Sequence, residues 1–211
     1  MSSASSPLAK IALGARPVAA RLERTPHLIL GPFYPVAAPS RFGSEMWSGK
    51  PGSPAGPSRV RISGRVLDTD GEPIQGALVE VWQADQHGRY RHPDTQTAQP
   101  SDSRFAGSAV QATDGSGSYC FWTLKPGAYR NGPVCRAPHL HFQVTSRHYR
   151  LVTQMFFPGE PLNDRDRWYQ GSRSPALLVA RIARKTPRML ALTWDIVLAA
   201  PHDRSHAGGI Q

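Results

Sequence analysis

Cysteine is scarce in this chain. Only Cys120 and Cys135 occur in 211 residues, which excludes a disulfide framework and points to a reducing, cytoplasmic setting. Neither belongs to a metal-ligand cysteine motif, so both read as small buried hydrophobes. Cys135 stands apart only because it precedes Arg136. Long apolar runs are also missing. Nothing approaches the ~18 consecutive apolar residues of a membrane helix, and the apolar part of 1–20 is too short and broken for a secretory signal. Acidic side chains are few: 15 Asp and Glu against 25 Lys and Arg leave a formal charge of +10. Basic chains often meet nucleic acid. Here the arginines are scattered through loops and ends, and no helix-turn-helix, zinc-finger or RNA-stacking signature accompanies them. Neither nucleic acid nor membrane is an expected partner. The excess charge fits attraction of an anionic substrate into a cleft, or an acidic partner subunit. No segment repeats at a fixed period.

The chain is long enough for one domain with a substantial core. We divide it into an N-terminal arm (1–24), a domain (25–200) and a short C-terminal tail (201–211). Thr25–Pro35 carries prolines that hold it extended, and 37–58 is a loop rich in Pro, Gly and Ser. Alternation predicts strands over Val60–Asp68 and Gly76–Trp82, with a turn at Asp70-Gly71. Ser108–Thr113 and Ser118–Leu124 frame a glycine-rich turn and read as a hairpin. Strands follow over Pro138–Val144 and Leu151–Phe157, and Met189–Leu198 reads as the closing strand. Ser174–Ala183 has helical spacing, but Pro175 limits it to a short helix. Many short strands, Gly/Pro turns and little helix predict an all-β antiparallel sandwich with long active-site loops. The 85–107 loop is the longest and holds Tyr90.

The chemistry concentrates between Lys125 and Phe142. His139 and His141 are two residues apart. On a strand they leave the same face, about 7 Å apart at the backbone, a gap one metal can bridge. Tyr129 follows a Pro-Gly turn that could bring it over that face, and Tyr90 is the best fourth donor. Phenolate favours a hard, highly charged cation, and imidazole suits iron, copper and zinc. The mixture points to ferric iron more than to zinc. A cation would also supply the shift a phenol needs to ionise near neutral pH. Spacing alone leaves open ordinary strand histidines and packing tyrosines, or a copper or zinc site built on the two histidines.

These runs resemble the intradiol ring-cleavage dioxygenases, and most of all the iron-binding subunit of the protocatechuate-specific branch. The matching segments are Leu78–Ala84 (LVEVWQA), Gly88-Arg89-Tyr90-Arg91-His92, Gly115–Tyr119, Thr123–Gly127, Asn131-Gly132-Pro133, Arg136–Phe142 (RAPHLHF), Thr153–Phe157 and Asp195–Leu198. They span roughly 25–198, in order. The resemblance implies a β-sandwich that opens catechols between their hydroxyls. Its Fe(3+) would be held by Tyr90, Tyr129, His139 and His141. Tyr129 would be the axial ligand that substrate displaces, and its freed phenolate would take a substrate proton. Arg136 would stabilise developing negative charge, and Gln154 would support the ligands. Trp82 reads as core, and Tyr34, in Gly31-Pro32-Phe33-Tyr34-Pro35, either touches substrate or packs.

The chain departs from the family in one place. The Pro-Trp pair expected after the ligand tyrosine is missing, and only Arg130 stands between Tyr129 and Asn131-Gly132. An aromatic wall is thereby lost, and Arg130 becomes a candidate for binding a carboxylate. The chain also lacks room for the N-terminal helical region of the catechol-specific branch. The implied partners are a catecholic substrate, O2, and either copies of itself or an alpha-type subunit. The competing reading is a prealbumin-like sandwich used for binding or assembly.

Overall fold

The computed structural model describes residues 20–36, 43–49, 59–93 and 103–201. Most of the N-terminal arm, all but Pro201 of the tail, most of the 37–58 loop and the middle of the Tyr90 loop lie outside them. Eleven strands occur among the described residues: β1 (Arg59–Asp68), β2 (Leu78–Trp82), β3 (Ser108–Ala112), β4 (Ser118–Leu124), β5 (Tyr129–Asn131), β6 (Val134–Arg136), β7 (His139–Thr145), β8 (Arg150–Phe156), β9 (Arg181–Thr186), β10 (Met189–Thr193) and β11 (Ile196–Leu198). Among the described residues the helical elements are one turn, α1 (Arg167–Gln170), and two 3-10 turns, Pro161–Arg165 and Pro175–Leu178.

Two sheets face each other. In the first, β1 is central, with β4 antiparallel to it, β10 and β11 successively alongside it, and β9 at the edge. The second runs β3-β2-β7-β8, all antiparallel. Alternation decides which side chains meet between the sheets. Val60, Ile62 and Val66 of β1 and Phe121 of β4 face Val79 and Val81 of β2, Leu140, Phe142 and Val144 of β7, and Met155 of β8 in one core. The opposite face of the second sheet then carries Glu80 and Trp82, His139, His141 and Gln143, and Gln154. In register, Trp82 sits beside His141, His141 beside Gln154, and Glu80 beside Gln143.

The all-β sandwich read from the sequence is the fold observed, with four corrections of detail. The Ser108–Thr113 and Ser118–Leu124 strands do not form a hairpin, because β3 pairs with β2 and β4 pairs with β1. Their turn is built like a hairpin turn: Asp114 Oδ1 accepts from the backbone N–H groups of Ser116 and Ser118. Such a turn serves equally well to carry the chain from one sheet to the other. The 189–198 strand is two strands, parted at Trp194, whose backbone N–H donates to Ser63 O and whose carbonyl accepts from Tyr119 Oη. Both pieces run parallel to β1, unlike the other pairings. Finally, 174–183 makes only the Pro175–Leu178 turn before β9 begins at Arg181, a strand hidden by its exposed, basic sequence.

Residues 20–36 tie the sheets together. Thr25 exchanges hydrogen bonds with Val197 of β11, Leu28 N–H donates to Val152 O on the free edge of β8, and the chain then crosses the outer face of the second sheet. No helix among the described residues is long and apolar enough to cross a membrane. Cys120 and Cys135 are both free thiols and half-buried.

Candidate metal centre

The four donors predicted from the sequence converge on that outer face. The two-residue period of β7 brings His139 Nε2 and His141 Nε2 to 3.1 Å, and Tyr90 Oη lies 3.5 Å from His139 Nε2. Tyr129 closes the group, its ring 5.4 Å from that of Tyr90 and 5.8 Å from that of His139.

The tyrosines are delivered by two turns pressed against each other. Asp85 folds the first: its Oδ1 accepts from the N–H groups of His87 and Arg89, and its Oδ2 takes the Arg89 guanidinium. Its backbone carbonyl receives Gly88 N–H and, from the second turn, Gly127 N–H. A side chain at Gly88 (φ +77°) would meet Ala128 O at 2.4 Å and Tyr129 Cβ at 2.9 Å; one at Gly127 would meet Gln86 O and Gly88 N at 2.6 Å. Only bare backbone lets the loops approach this closely. Gly88→Ala is therefore expected to cost at least the ~1–3 kcal/mol of a left-handed non-glycine residue, and to part the two tyrosines. Thermal unfolding and ferric uptake of the variant would check both.

Around the donors, the packing is aromatic. Trp82 stacks on His141 at 4.9 Å with planes 13° apart, Phe33 stacks on Tyr90 at 4.7 Å, and Tyr34 meets Trp82 edge-on at 5.0 Å. Trp82 is thus core, as read from the sequence, and also the wall behind a candidate ligand. Tyr34 is anchored: its hydroxyl donates to the buried Glu80 carboxylate at 2.6 Å. Arg130 lies exposed on the β5–β6 hairpin, across from Cys135.

Burial sets the protonation states. The His139 imidazole is pushed down to about 3 by desolvation, reinforced by the Arg136 charge. His141 is held well below the ordinary range by the same burial, then by His139 and Arg136. Both imidazoles are therefore neutral, as ligands must be. Burial raises Tyr90 far above its ordinary value, with Tyr129 adding to the shift, and raises Tyr129 against the opposing pull of Arg136. Neither phenol ionises near neutral pH until a cation faces it.

These residues fit a metal. His139 Nδ1 donates to Ala137 O at 2.6 Å, which leaves the Nε2 lone pair turned toward His141 and Tyr90. No carboxylate enters the donor set, and among the described residues no three His, Cys, Asp or Glu side chains come together. Two neutral imidazoles and two ionisable phenols make a dianionic set suited to a trivalent cation.

Beside the donors lies a buried polar chain. Arg136 Nη2 donates to Gln154 Oε1 at 2.6 Å, and Arg136 Nε donates to Asp166 Oδ2 at 2.8 Å. Gln154 Nε2 reaches Ile29 O on the crossing segment. Gln154 and Asp166 are fully buried. The sequence reading missed Asp166. Its place before a short helical stretch marks it as a helix cap, but nothing local shows that it faces Arg136, 30 residues earlier.

A family model described as Dioxygenase matches residues 29–200. The protocatechuate 3,4-dioxygenase beta chain of Burkholderia cepacia is 42% identical over 169 residues, 74% of this chain and 72% of that one. The chain belongs to the intradiol ring-cleavage dioxygenases. A hydroxyquinol 1,2-dioxygenase of Corynebacterium glutamicum is 38% identical over 149 residues; that match covers 63% of this chain but only 46% of the relative. Among solved structures, the dioxygenase domain of a carbohydrate-binding fusion protein from Streptomyces sp. SirexAA-E superposes with a TM-score of 0.66 at 27% identity, covering 84% of this chain and 99% of that one. In this intradiol dioxygenase the four candidate donors gather on the outer face of one sheet, under the crossing segment.

Proposed function

We propose that this chain is a non-haem ferric dioxygenase that opens protocatechuate or a closely related catechol between its hydroxyls, inserting both atoms of O2 to give a cis,cis-muconate. The observation that carries this reading is the meeting of Tyr90, Tyr129, His139 and His141, with the two imidazole Nε2 atoms 3.1 Å apart. Ferric iron held by these four would act as a Lewis acid that orients a catecholate and draws electron density from its ring.

The protein's own groups do the rest. Tyr129 is the one donor left half-exposed, while Tyr90, His139 and His141 are buried. It would be the donor best able to give way to a bound catecholate, and its phenolate oxygen would then accept a proton from a substrate hydroxyl. Arg136 carries a fixed positive charge beside the donors and favours negative charge developing on the ring. Gln154 holds that guanidinium in place. Trp82 stacks on His141, Phe156 on His139 and Phe33 on Tyr90, an apolar lining that would keep water from the donors. The 42% identity to a protocatechuate 3,4-dioxygenase beta chain supports the substrate choice. Assembly with itself or with an alpha-type partner, and residence in a reducing cytoplasm, belong to the same proposal.

The test is a visible spectrum of the purified chain with iron assayed on the same sample. The expected result is a broad tyrosinate-to-ferric band that shifts on adding protocatechuate. A colourless protein that takes up no iron after ferrous loading in air would sink the proposal for the lone chain. It would leave the sandwich as a binding or assembly module.

A further inference from the structure

Asp166 does two jobs with its two oxygens. Oδ1 accepts from the N–H groups of Trp168 and Tyr169 and caps α1. Oδ2 faces the other way and accepts from Arg136 Nε at 2.8 Å and from Ala137 N–H at 2.9 Å. Ala137 in turn accepts His139 Nδ1–H on its carbonyl. One carboxylate oxygen therefore holds both the guanidinium and the residue that orients the imidazole. The three-residue link Ala137-Pro138-His139 leaves little slack, because Pro138 fixes its own φ.

We infer that Asp166 is a positioning residue for the site, acting on His139 through Ala137 and on Gln154 through Arg136. This rests on the ferric reading given above. A carboxylate with no solvent exposure needs a reason to be charged there, and the Arg136 guanidinium, 4% exposed, supplies it. Asp166 offsets only part of the Arg136 charge, which still acts on His139 and His141, so the carboxylate fixes where that charge stands rather than removing it. The remaining N–H directions of the guanidinium are aimed by the bonds at Nε and Nη2. A helix cap alone would need only Oδ1; the bond that Ala137 N–H donates to Oδ2 has no part in α1.

The experiment compares Asp166→Asn and Asp166→Glu with the parent, measuring ferric affinity, the substrate-free visible band, kcat, KM and melting temperature. Asn keeps the shape, but its amide turns a donor toward either the α1 N–H groups or Arg136. Glu keeps the charge and moves the oxygens, and it carries the test if the Asn variant does not fold. The expected result is a shifted band, ferric affinity weakened ~10–100-fold as for other groups that orient a ligand, and kcat lowered by a similar factor with KM little changed. Glu160→Gln, which weakens the neighbouring 3-10 turn and its pair with Lys125, serves as the control and keeps the parent's band and kcat. Folded Asp166 variants with the parent's band, affinity and kcat, and only a lower melting temperature, would reduce Asp166 to a helix cap and overturn the inference. A parent that binds no iron overturns the proposed function itself, and the role of Asp166 with it.

Discussion

Tyr90→Phe is expected to yield a folded protein without the visible ferric band. The substitution removes one oxygen, 3.5 Å from His139 Nε2, and leaves the ring that stacks on Phe33 and meets Tyr129 edge-on. The packing of the Tyr90 loop, clasped by Asp85 and Gly88, does not depend on that hydroxyl. What goes is half of the anionic charge that matches a trivalent cation. Loss of a direct ligand should exceed the ~10–100-fold that a supporting group costs in metal affinity. Ferric titration followed by absorbance measures it. The pH change on loading is a second readout, since a neutral buried phenol must release its proton to bind, and the variant should release fewer protons than the parent. Iron content and colour equal to the parent's would exclude Tyr90 from the donor set. Zinc or copper bound equally well by parent and variant, with no ferric uptake, would favour a site made of His139 and His141 alone.

Arg136→Met is expected to give the second-largest effect, on stability and turnover together. Its partner Asp166 is wholly buried and would keep a carboxylate with no cation beside it. Breaking a buried pair from one side typically costs ~3–5 kcal/mol. For a domain of this size that lowers the melting temperature by roughly 6–20 °C. The Gln154 carbonyl loses its 2.6 Å donor as well. Turnover should fall much further than ferric affinity, because no ligand has been removed. An exposed ion pair at this position would cost at most ~1 kcal/mol. A melting temperature within a degree or two of the parent, with kcat unchanged, would place Arg136 in that lesser role.

Much of this was legible along the chain because it is local. A strand repeats every two residues, so H-x-H at 139 and 141 had to present both imidazoles on one face. The same period assigned Glu80 and Trp82 to one side of β2, and Val79 and Val81 to the other. The Pro-Gly pair at 126–127 marked the turn before Tyr129, and the ordered run of motifs indicated the family. Pairing was not legible. The turn at Asp114–Gly117 could close a hairpin or cross between sheets, and only the core decided that β4 joins β1 while β3 joins β2. Strand β9 carries mostly exposed polar residues, so no apolar period announced it; its pairing with β10 makes it a strand.

The sequence by itself determined the residue types at the centre, two phenols, two imidazoles, one guanidinium and one amide, and set the imidazoles on one strand face; the β5–β6 hairpin that carries Tyr129 and Arg136 was not read from it. Tertiary structure alone decided what stands behind them. It put Trp82 flat against His141, drew Phe33 over Tyr90 from a segment more than 50 residues away, and brought Asp166 onto Arg136 and Ala137. The physical reason is that period and turn chemistry act over a few residues, whereas a buried charge is compensated by whichever distant group the packed fold sets against it.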